Sequence, residues 1–287
     1  MTKGRKSVVV ATRPTPGEPR PYHFPPFERA VLGNGLTVLT VHLPGRPLVN
    51  AQLVMRNGAA DEPAIEAGAT VLSSRALTEG TERYDAIELI EATERLGASL
   101  HADAGWDAYT VGVEVPASRL KPALELLVEV VAHPTFPESE VERIRDERLN
   151  DILQARADAR RRADEAFAAT IYRDDSPYHR PAGGTRATVV PLDRTGLERA
   201  WTRGLDPARM TLVVAGDLEG IEPTRLADEM MVGWKRSAGA VEPGPIAAKP
   251  VAGGRRLRLV DKPGAPQTEI RVGHVGVPRR IPDFHAV

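Results

Sequence analysis

Histidines and serines are the first residues to test for chemistry, because they are frequent metal ligands and nucleophiles. No two histidines stand four residues apart, the spacing that puts two imidazoles on one face of a zinc-binding helix; they occur at positions 23, 42, 101, 133, 179, 274 and 285. Ser73 and Ser74 lie outside any nucleophile-elbow pattern and have no histidine in their sequence context. The chain has no cysteine, which excludes disulfides, thiol nucleophiles and thiolate metal sites. An independent catalytic site is therefore not indicated.

Two further segments could be either binding sites or ordinary structural elements. Gly183-Gly184 lacks the spacing and the lysine of a phosphate-binding loop and is interpreted as a turn. The run ARADARRRADEA, at 155–166, is charged all round, which is typical of a solvated helix with i,i+4 ion pairs; a docking surface is the alternative.

A net charge of −1 indicates neither nucleic acid nor an anionic membrane as a partner. No window approaches the roughly 20 apolar residues that span a bilayer.

The elements around the stretch Gly68–Thr81 (GATVLSSRALTEGT) determine where side chains can meet. We expect a helix over 64–77, preceded by a hairpin at Asn34-Gly35 and a strand at 48–56. Two strands are expected after it, at 99–104 and 108–115, and the second should bury Tyr109, Val111, Val113 and Val115 on one face. Before these two strands, and after the helix over 64–77, lies a predicted helix over 84–96, whose core stripe would hold Ile87, Ile90, Leu89, Thr93 and Leu96.

The second part of the chain is predicted to be mainly helical. Ser118 is expected to cap a helix that buries one row of apolar residues, Leu120, Leu124, Leu127 and Val131. A long helical stretch is expected over 139–173, followed by a helix over 195–203. A strand over 210–216 and a helix over 223–234 complete the pattern.

Length and composition predict more than one domain. A chain of 287 residues exceeds the usual size of one core, so two domains, or one and part of another, are expected. We divide it into a proline-rich arm at 1–26, an α/β domain at 27–234 and a linker at 235–250. Residues 251–287 contain two strand-like runs and cannot bury a core alone. The short apolar run near the N-terminus predicts a flexible leader on a cytoplasmic protein rather than a secretory signal.

Several ordered segments carry a resemblance to a known family. They are the stretch 68–81, the triplet Asn150-Asp151-Ile152, the loop PYHRP at 177–181 with Gly184-Thr185, the strand VVAGD at 213–217, and the tail PGAPQTEIRVGHVGV. Together they resemble the insulinase/pitrilysin family of zinc peptidases. The resemblance covers the chain from Phe27 to its end. It implies an α+β fold of the metalloprotease-like two-layer sandwich type, with a mixed, mostly antiparallel sheet backed by helices.

The resemblance also implies that the chemistry of this family has been lost. Its members carry H-x-x-E-H, in which two histidines bind zinc and the glutamate is the general base. An ungapped alignment puts Val71, Ser74 and Arg75 at those three positions and Asp151 near that of the third, glutamate ligand. Val71 offers no lone pair, and a guanidinium would repel a zinc ion by several kcal/mol at 4 Å. We therefore expect neither catalytic residues nor a metal in this chain.

One positive site follows from the resemblance. In active relatives the peptide substrate adds as a strand to the edge segment that corresponds to Leu100–Gly105. Strand addition uses backbone groups and survives the loss of metal ligands. His101, Asp103 and Trp106 would then border the peptide. An ordinary or covered sheet edge is the alternative.

The function predicted by this resemblance is that of a non-catalytic subunit of a heterodimeric zinc peptidase. It would help bind and position peptide substrates for a zinc-bearing homologous partner, and residues 251–287 would begin a second homologous domain. The first alternative is a structural or peptide-binding scaffold protein of the same fold. The second is an enzyme that uses another metal or none.

Overall fold

The computed structural model describes residues 17–18, 21, 23–231, 233–234, 248–279 and 281–284. Six strands are formed within these residues: β1 Glu28–Val31, β2 Thr37–His42, β3 Leu48–Met55, β4 Ser99–Ala104, β5 Tyr109–Pro116 and β6 Met210–Gly216. The helices are α1 Ala69–Ala76, α2 Ala86–Arg95, α3 Leu120–Ala132, α4 Glu138–Ala157, α5 Ala159–Ile171, α6 Arg186–Val189, α7 Arg194–Gly204 and α8 Pro223–Met231.

The strands form one sheet in the order β1-β2-β6-β3-β5-β4. All neighbours are antiparallel except β2 and β6, which pair in parallel from Thr37 opposite Thr211 to His42 opposite Gly216. The last strand in sequence therefore lies in the middle of the sheet, and β4 forms one edge. The predicted mixed, mostly antiparallel sheet is confirmed.

The core lies between one face of the sheet and the helices. In β5 the alternating residues Tyr109, Val111, Val113 and Val115 are all buried, as predicted, and α3 packs on this strand. The residues of β3 that pair with these four belong to the same buried cluster, as do the alternating β6 residues Met210, Leu212 and Val214. Residues on the other face of these strands are mostly half-buried. The α+β two-layer sandwich is confirmed.

Two predicted helices are divided in the structure. The helix expected over 64–77 is a 3-10 turn at Ala64–Glu66 followed by α1, because Gly68 adopts φ +101° and interrupts the helical backbone. The stretch over 139–173 breaks at Asp158, whose extended backbone ends α4 and whose carboxylate accepts N–H bonds from Arg160 and Arg161 at the start of α5. Asp158 therefore acts as the N-cap of α5, so a second helix begins directly after α4 although the surrounding residues all favour helix.

Other local predictions were wrong. Ser118 does not cap α3; it lies in a 3-10 turn, and the helix begins at Leu120 without a side-chain cap. Ile87 and Ile90 are 68% and 57% exposed, because α2 lies beside the edge strand β4 and buries only one narrow row. That row, with Leu89 and Thr93 buried and Leu96 packed against the core, is as predicted.

The predicted arm and linker fall largely outside the described residues, which start again at 248 after Trp234. Described residues beyond 248 form no strand; their one bridge joins Pro250 to Tyr172. The two strand-like runs therefore have no sheet partner among the described residues. Arg271 binds Asp164 of α5 at 2.5 Å. None of the described helices is long and apolar enough to cross a bilayer.

Gly68 provides the first testable prediction. A Cβ atom at this position would lie 2.8 Å from the carbonyl oxygen of Gly183, and φ +101° is unfavourable for any L side chain. We expect Gly68→Ala to lower the free energy of unfolding by about 2 to 4 kcal/mol in urea denaturation. Gly220→Ala is the matched control, since Gly220 has φ +69° but open space around it. It should cost about 1 kcal/mol; equal losses would contradict the close approach at Gly68.

Candidate functional site

The N-terminus of α1 is held by a buried carboxylate. Glu62 accepts N–H bonds from Gly68 at 2.8 Å and from Thr70 at 3.0 Å, and Arg180 donates to the same carboxylate at 3.2 Å. The Glu62 side chain is fully buried. Burial raises the pKa of Glu62, while the two backbone donors and Arg180 oppose this rise. The carboxylate therefore replaces a side-chain N-cap and fixes the entry to α1.

A glycine turn closes over the same end of α1. Gly183 and Gly184 approach Ala67 and Gly68 closely, which agrees with their interpretation as a turn. Arg148 of α4 donates from Nε to the Gly183 carbonyl at 2.8 Å and from Nη2 to the Gly184 carbonyl at 3.4 Å. These bonds connect α4, the glycine turn and α1.

The two serines of α1 are engaged in structural hydrogen bonds. Ser73 donates to the Thr70 carbonyl at 2.9 Å and shares a short contact with the buried Tyr109 hydroxyl. Ser74 donates to the Val71 carbonyl at 2.8 Å, and both serines are buried. Among the described residues no histidine hydrogen-bonds to either serine. Neither hydroxyl has a base that would activate it as a nucleophile.

Arg75 and Asp151 meet at the positions that were aligned with zinc ligands. Arg75 Nη1 lies 4.0 Å from Asp151 Oδ2, and the two side chains are 44% and 40% exposed. Burial lowers the pKa of Arg148, and the nearby Arg75 and Arg161 cations lower it further while Asp151 opposes them. We call Arg75, Arg148 and Asp151 the Arg75 cluster. It places two guanidiniums beside one carboxylate.

This donor set does not fit zinc. Catalytic zinc requires about three lone-pair ligands and an open position. Val71 supplies none, Ser74 bonds within its own helix, and Arg75 carries a permanent positive charge toward Asp151. No group of three His, Cys, Asp or Glu residues in the described part of the chain has the arrangement to hold a metal ion. No hydrolytic step is therefore derived from these residues.

The structure places the three predicted peptide-bordering residues around β4. His101 and Asp103 lie opposite Gly112 and Thr110 of β5, on the sheet face away from the helices. Trp106 lies in the turn after β4, with its ring 5.3 Å from that of Tyr178 and 5.9 Å from the Arg180 guanidinium carbon. It therefore belongs to the network that holds α1, whereas His101 and Asp103 do not.

Sequence reasoning missed the roles of Glu62, Arg148 and Arg180. Arg180 lies in the PYHRP loop, and Glu62 is separated from it by more than a hundred residues. For Glu62 and Arg180 the available signal was a charged residue directly before a proline, whereas Arg148 stands before Leu149 and offered no such signal. Their pairing could be found only in three dimensions.

The chain is similar in sequence to known proteins over more than half of its length. A family model described as Insulinase (Peptidase family M16) matches residues 37–185. An uncharacterized zinc protease of Mycobacterium leprae is 29% identical over 201 residues, which cover 70% of this chain and 45% of the relative. The chain spans about half the length of the curated relatives that it matches.

Solved structures show the same fold. A crystal structure of a peptidase M16 inactive domain from Pseudomonas fluorescens superposes with a TM-score of 0.70 at 21% identity, over 77% of this chain and 54% of that one. A protease from Helicobacter pylori superposes with a TM-score of 0.68 at 19% identity, over 79% and 55%. At these identities the likeness concerns the fold alone.

Proposed function

Because the chain belongs to the insulinase family, peptidase family M16, we propose that it is a non-catalytic subunit of a heterodimeric zinc peptidase. It binds and positions peptides, and a zinc-bearing homologous subunit hydrolyses them. The observation that carries this proposal is the Arg75–Asp151 ion pair at the positions aligned with zinc ligands, beside a six-stranded sheet. The lack of a fitting donor set among the described residues supports the loss of hydrolysis, while the edge strand β4 supports peptide binding.

The peptide site in this proposal is the free side of β4. This strand pairs only with β5 in the described sheet, so its other side offers backbone donors and acceptors to an added strand. His101 and Asp103 would contact the peptide from the open sheet face, and Trp106 would border its end. The Arg180 contacts with Trp106 and Glu62 would keep this end of the strand fixed.

The tail supports association with further polypeptide. Ile270 and Val272 are 71% and 91% exposed although they belong to a strand-like run. We assign residues 251–287 to the start of a second homologous domain, in which these side chains would be buried. A structural or peptide-binding scaffold of the same fold is the second candidate, since exposed apolar residues also fit assembly without a peptidase role. Purification with an assembly that lacks a zinc-bearing homologue would favour it.

Mixing experiments test the leading proposal. The purified chain should raise the hydrolysis of a fluorogenic peptide by the zinc-bearing homologue of the same organism by about tenfold or more, because binding energy would position the scissile bond. Asp103→Lys on β4 should reduce this gain, whereas Glu94→Lys on the exposed side of α2 should not. A homologue that is equally active alone would exclude the subunit role. The proposed cytoplasmic location is tested separately by cell fractionation.

A further inference from the structure

The guanidinium of Arg75 has few contacts with charged side chains of the described residues. Its side chain is 44% exposed, and among the described residues its one charged partner within 4.0 Å is Asp151. That contact lies at the limit of an ion pair and is too long for a hydrogen bond. An arginine carries five N–H donors in a planar fork that matches a carboxylate. The fork of Arg75 is therefore available to an exogenous acceptor.

Arg148 adds a second positive charge that no neighbouring carboxylate pairs with closely. Its Nε and Nη2 atoms bind the neutral carbonyls of Gly183 and Gly184, and within the described ranges no carboxylate lies within 4.0 Å of it. Burial is the largest cause that lowers the pKa of Arg148, and the nearby Arg75 and Arg161 cations lower it as well, whereas Asp151 and Glu165 raise it.

The existing ion pair is weak enough to be exchanged. A pair at 4.0 Å between side chains that are 44% and 40% exposed contributes little to stability, because water competes for both charges. A ligand carboxylate that accepts two N–H bonds from Arg75 would make a shorter, charge-assisted contact. Such an exchange leaves the fold unchanged, since α1 is fixed at its other end by Glu62.

We propose that the Arg75 cluster is a carboxylate-recognition site that selects peptides bound along β4. This inference rests on the proposed function, because α1, the helix that carries Arg75, packs against both the edge strand β4 and the helix α4 that carries Asp151. The position aligned with a metal ligand would then bind an acidic group of the peptide. The carboxylate belongs either to an aspartate or glutamate side chain or to the peptide C-terminus.

Four fluorescein-labelled nonapeptide pools distinguish these sources. Each pool has mixed Ala, Val and Thr positions with either one Glu or one Gln, and each is made with a free or an amidated C-terminus. Fluorescence anisotropy with the full chain should show about tenfold tighter binding for the pools that carry the recognised carboxylate. Arg75→Gln should abolish this preference and leave binding of the neutral pool unchanged. Arg95→Gln, an exposed arginine on α2, is the matched control and should alter neither.

Asp151→Asn provides an independent readout, because it removes the competing carboxylate without shortening the side chain. It should strengthen binding of the acidic pool, in the direction opposite to Arg75→Gln. Equal binding of acidic and neutral pools would overturn this inference while the edge-strand proposal stands. Absence of binding by every pool would overturn both.

Discussion

Glu62→Ala is expected to lower the free energy of unfolding by about 3 to 5 kcal/mol, the usual cost of leaving a buried charge and buried donors without their partner. The substitution removes the acceptor of the Gly68 and Thr70 N–H groups and the carboxylate that pairs with Arg180. Urea denaturation followed by circular dichroism measures the loss. Hydrogen exchange should show faster opening at the first turn of α1 than elsewhere.

Glu66→Ala is the matched control for this variant. Glu66 lies four residues further on and binds Arg199 and Arg203, but its side chain is partly exposed. Its loss should cost about 1 kcal/mol, as expected for a solvent-screened pair. Similar losses for the two variants would contradict the role assigned to Glu62.

The two variants should also respond to pH in opposite directions. Burial raises the pKa of Glu62, so the part of its contribution that depends on protonation is full below its unfolded pKa and declines as pH rises through the folded value, while the hydrogen bonds from Gly68 and Thr70 remain. For Glu66, burial alone would raise the pKa, but hydrogen bonds from Arg203 and Arg199 hold it below the usual value. Its contribution is present above the unfolded pKa of about 4.3 and is lost on acidification. The stability difference from wild type should therefore shrink toward pH 8 for Glu62→Ala and toward pH 3 for Glu66→Ala.

The second large effect is the recovery of zinc binding. Val71→His, Ser74→Glu and Arg75→His together would place two imidazoles four residues apart on α1 and remove the guanidinium. Asp151→Glu is added because a histidine at position 75 is shorter than the arginine it replaces. The longer glutamate carboxylate reaches further toward it. We expect isothermal titration to detect stoichiometric zinc in the quadruple variant, bound at least a hundredfold more tightly (~3 kcal/mol) than by wild type.

Arg75→His alone is the control for the zinc experiment, because it removes the positive charge without completing the ligand set. It should bind zinc much more weakly than the quadruple variant. Tight, stoichiometric zinc in the wild-type chain would contradict the assignment of the four positions. Failure of a folded quadruple variant to bind zinc would show that the backbone of α1 and α4 has also departed from ligand geometry.

Sequence patterns predicted the sheet better than the helices. The alternation of β5 identified its buried face because a strand between two neighbours presents one side to the core along its whole length. Ile87 and Ile90 were wrongly predicted to be buried, because a helix at the sheet margin buries a narrower stripe than its apolar residues suggest. Gly68 was not identified as a helix break, since its close approach to the Gly183 carbonyl, more than a hundred residues later in the chain, appears only in three dimensions.

The site was predictable in its positions but not in its contacts. The aligned positions of Arg75 and Asp151 come from the sequence, but their 4.0 Å approach depends on how α1 packs against α4. Arg148, which has no carboxylate within 4.0 Å among the described residues, binds two glycine carbonyls that lie more than thirty residues away. Charge balance around a site is a property of the packed elements rather than of any local motif.

The central position of β6 has a consequence for synthesis of the protein. Because β6 separates β2 from β3, a nascent chain that ends before Met210 leaves both of these strands with an unpaired inner edge. Pairing can finish only after more than two hundred residues have left the ribosome, and such late, non-local closure favours slow folding. Unfinished chains would therefore expose strand edges whose unpaired backbone groups can pair with other chains and cause aggregation. This domain is expected to require chaperone protection until its last strand is made.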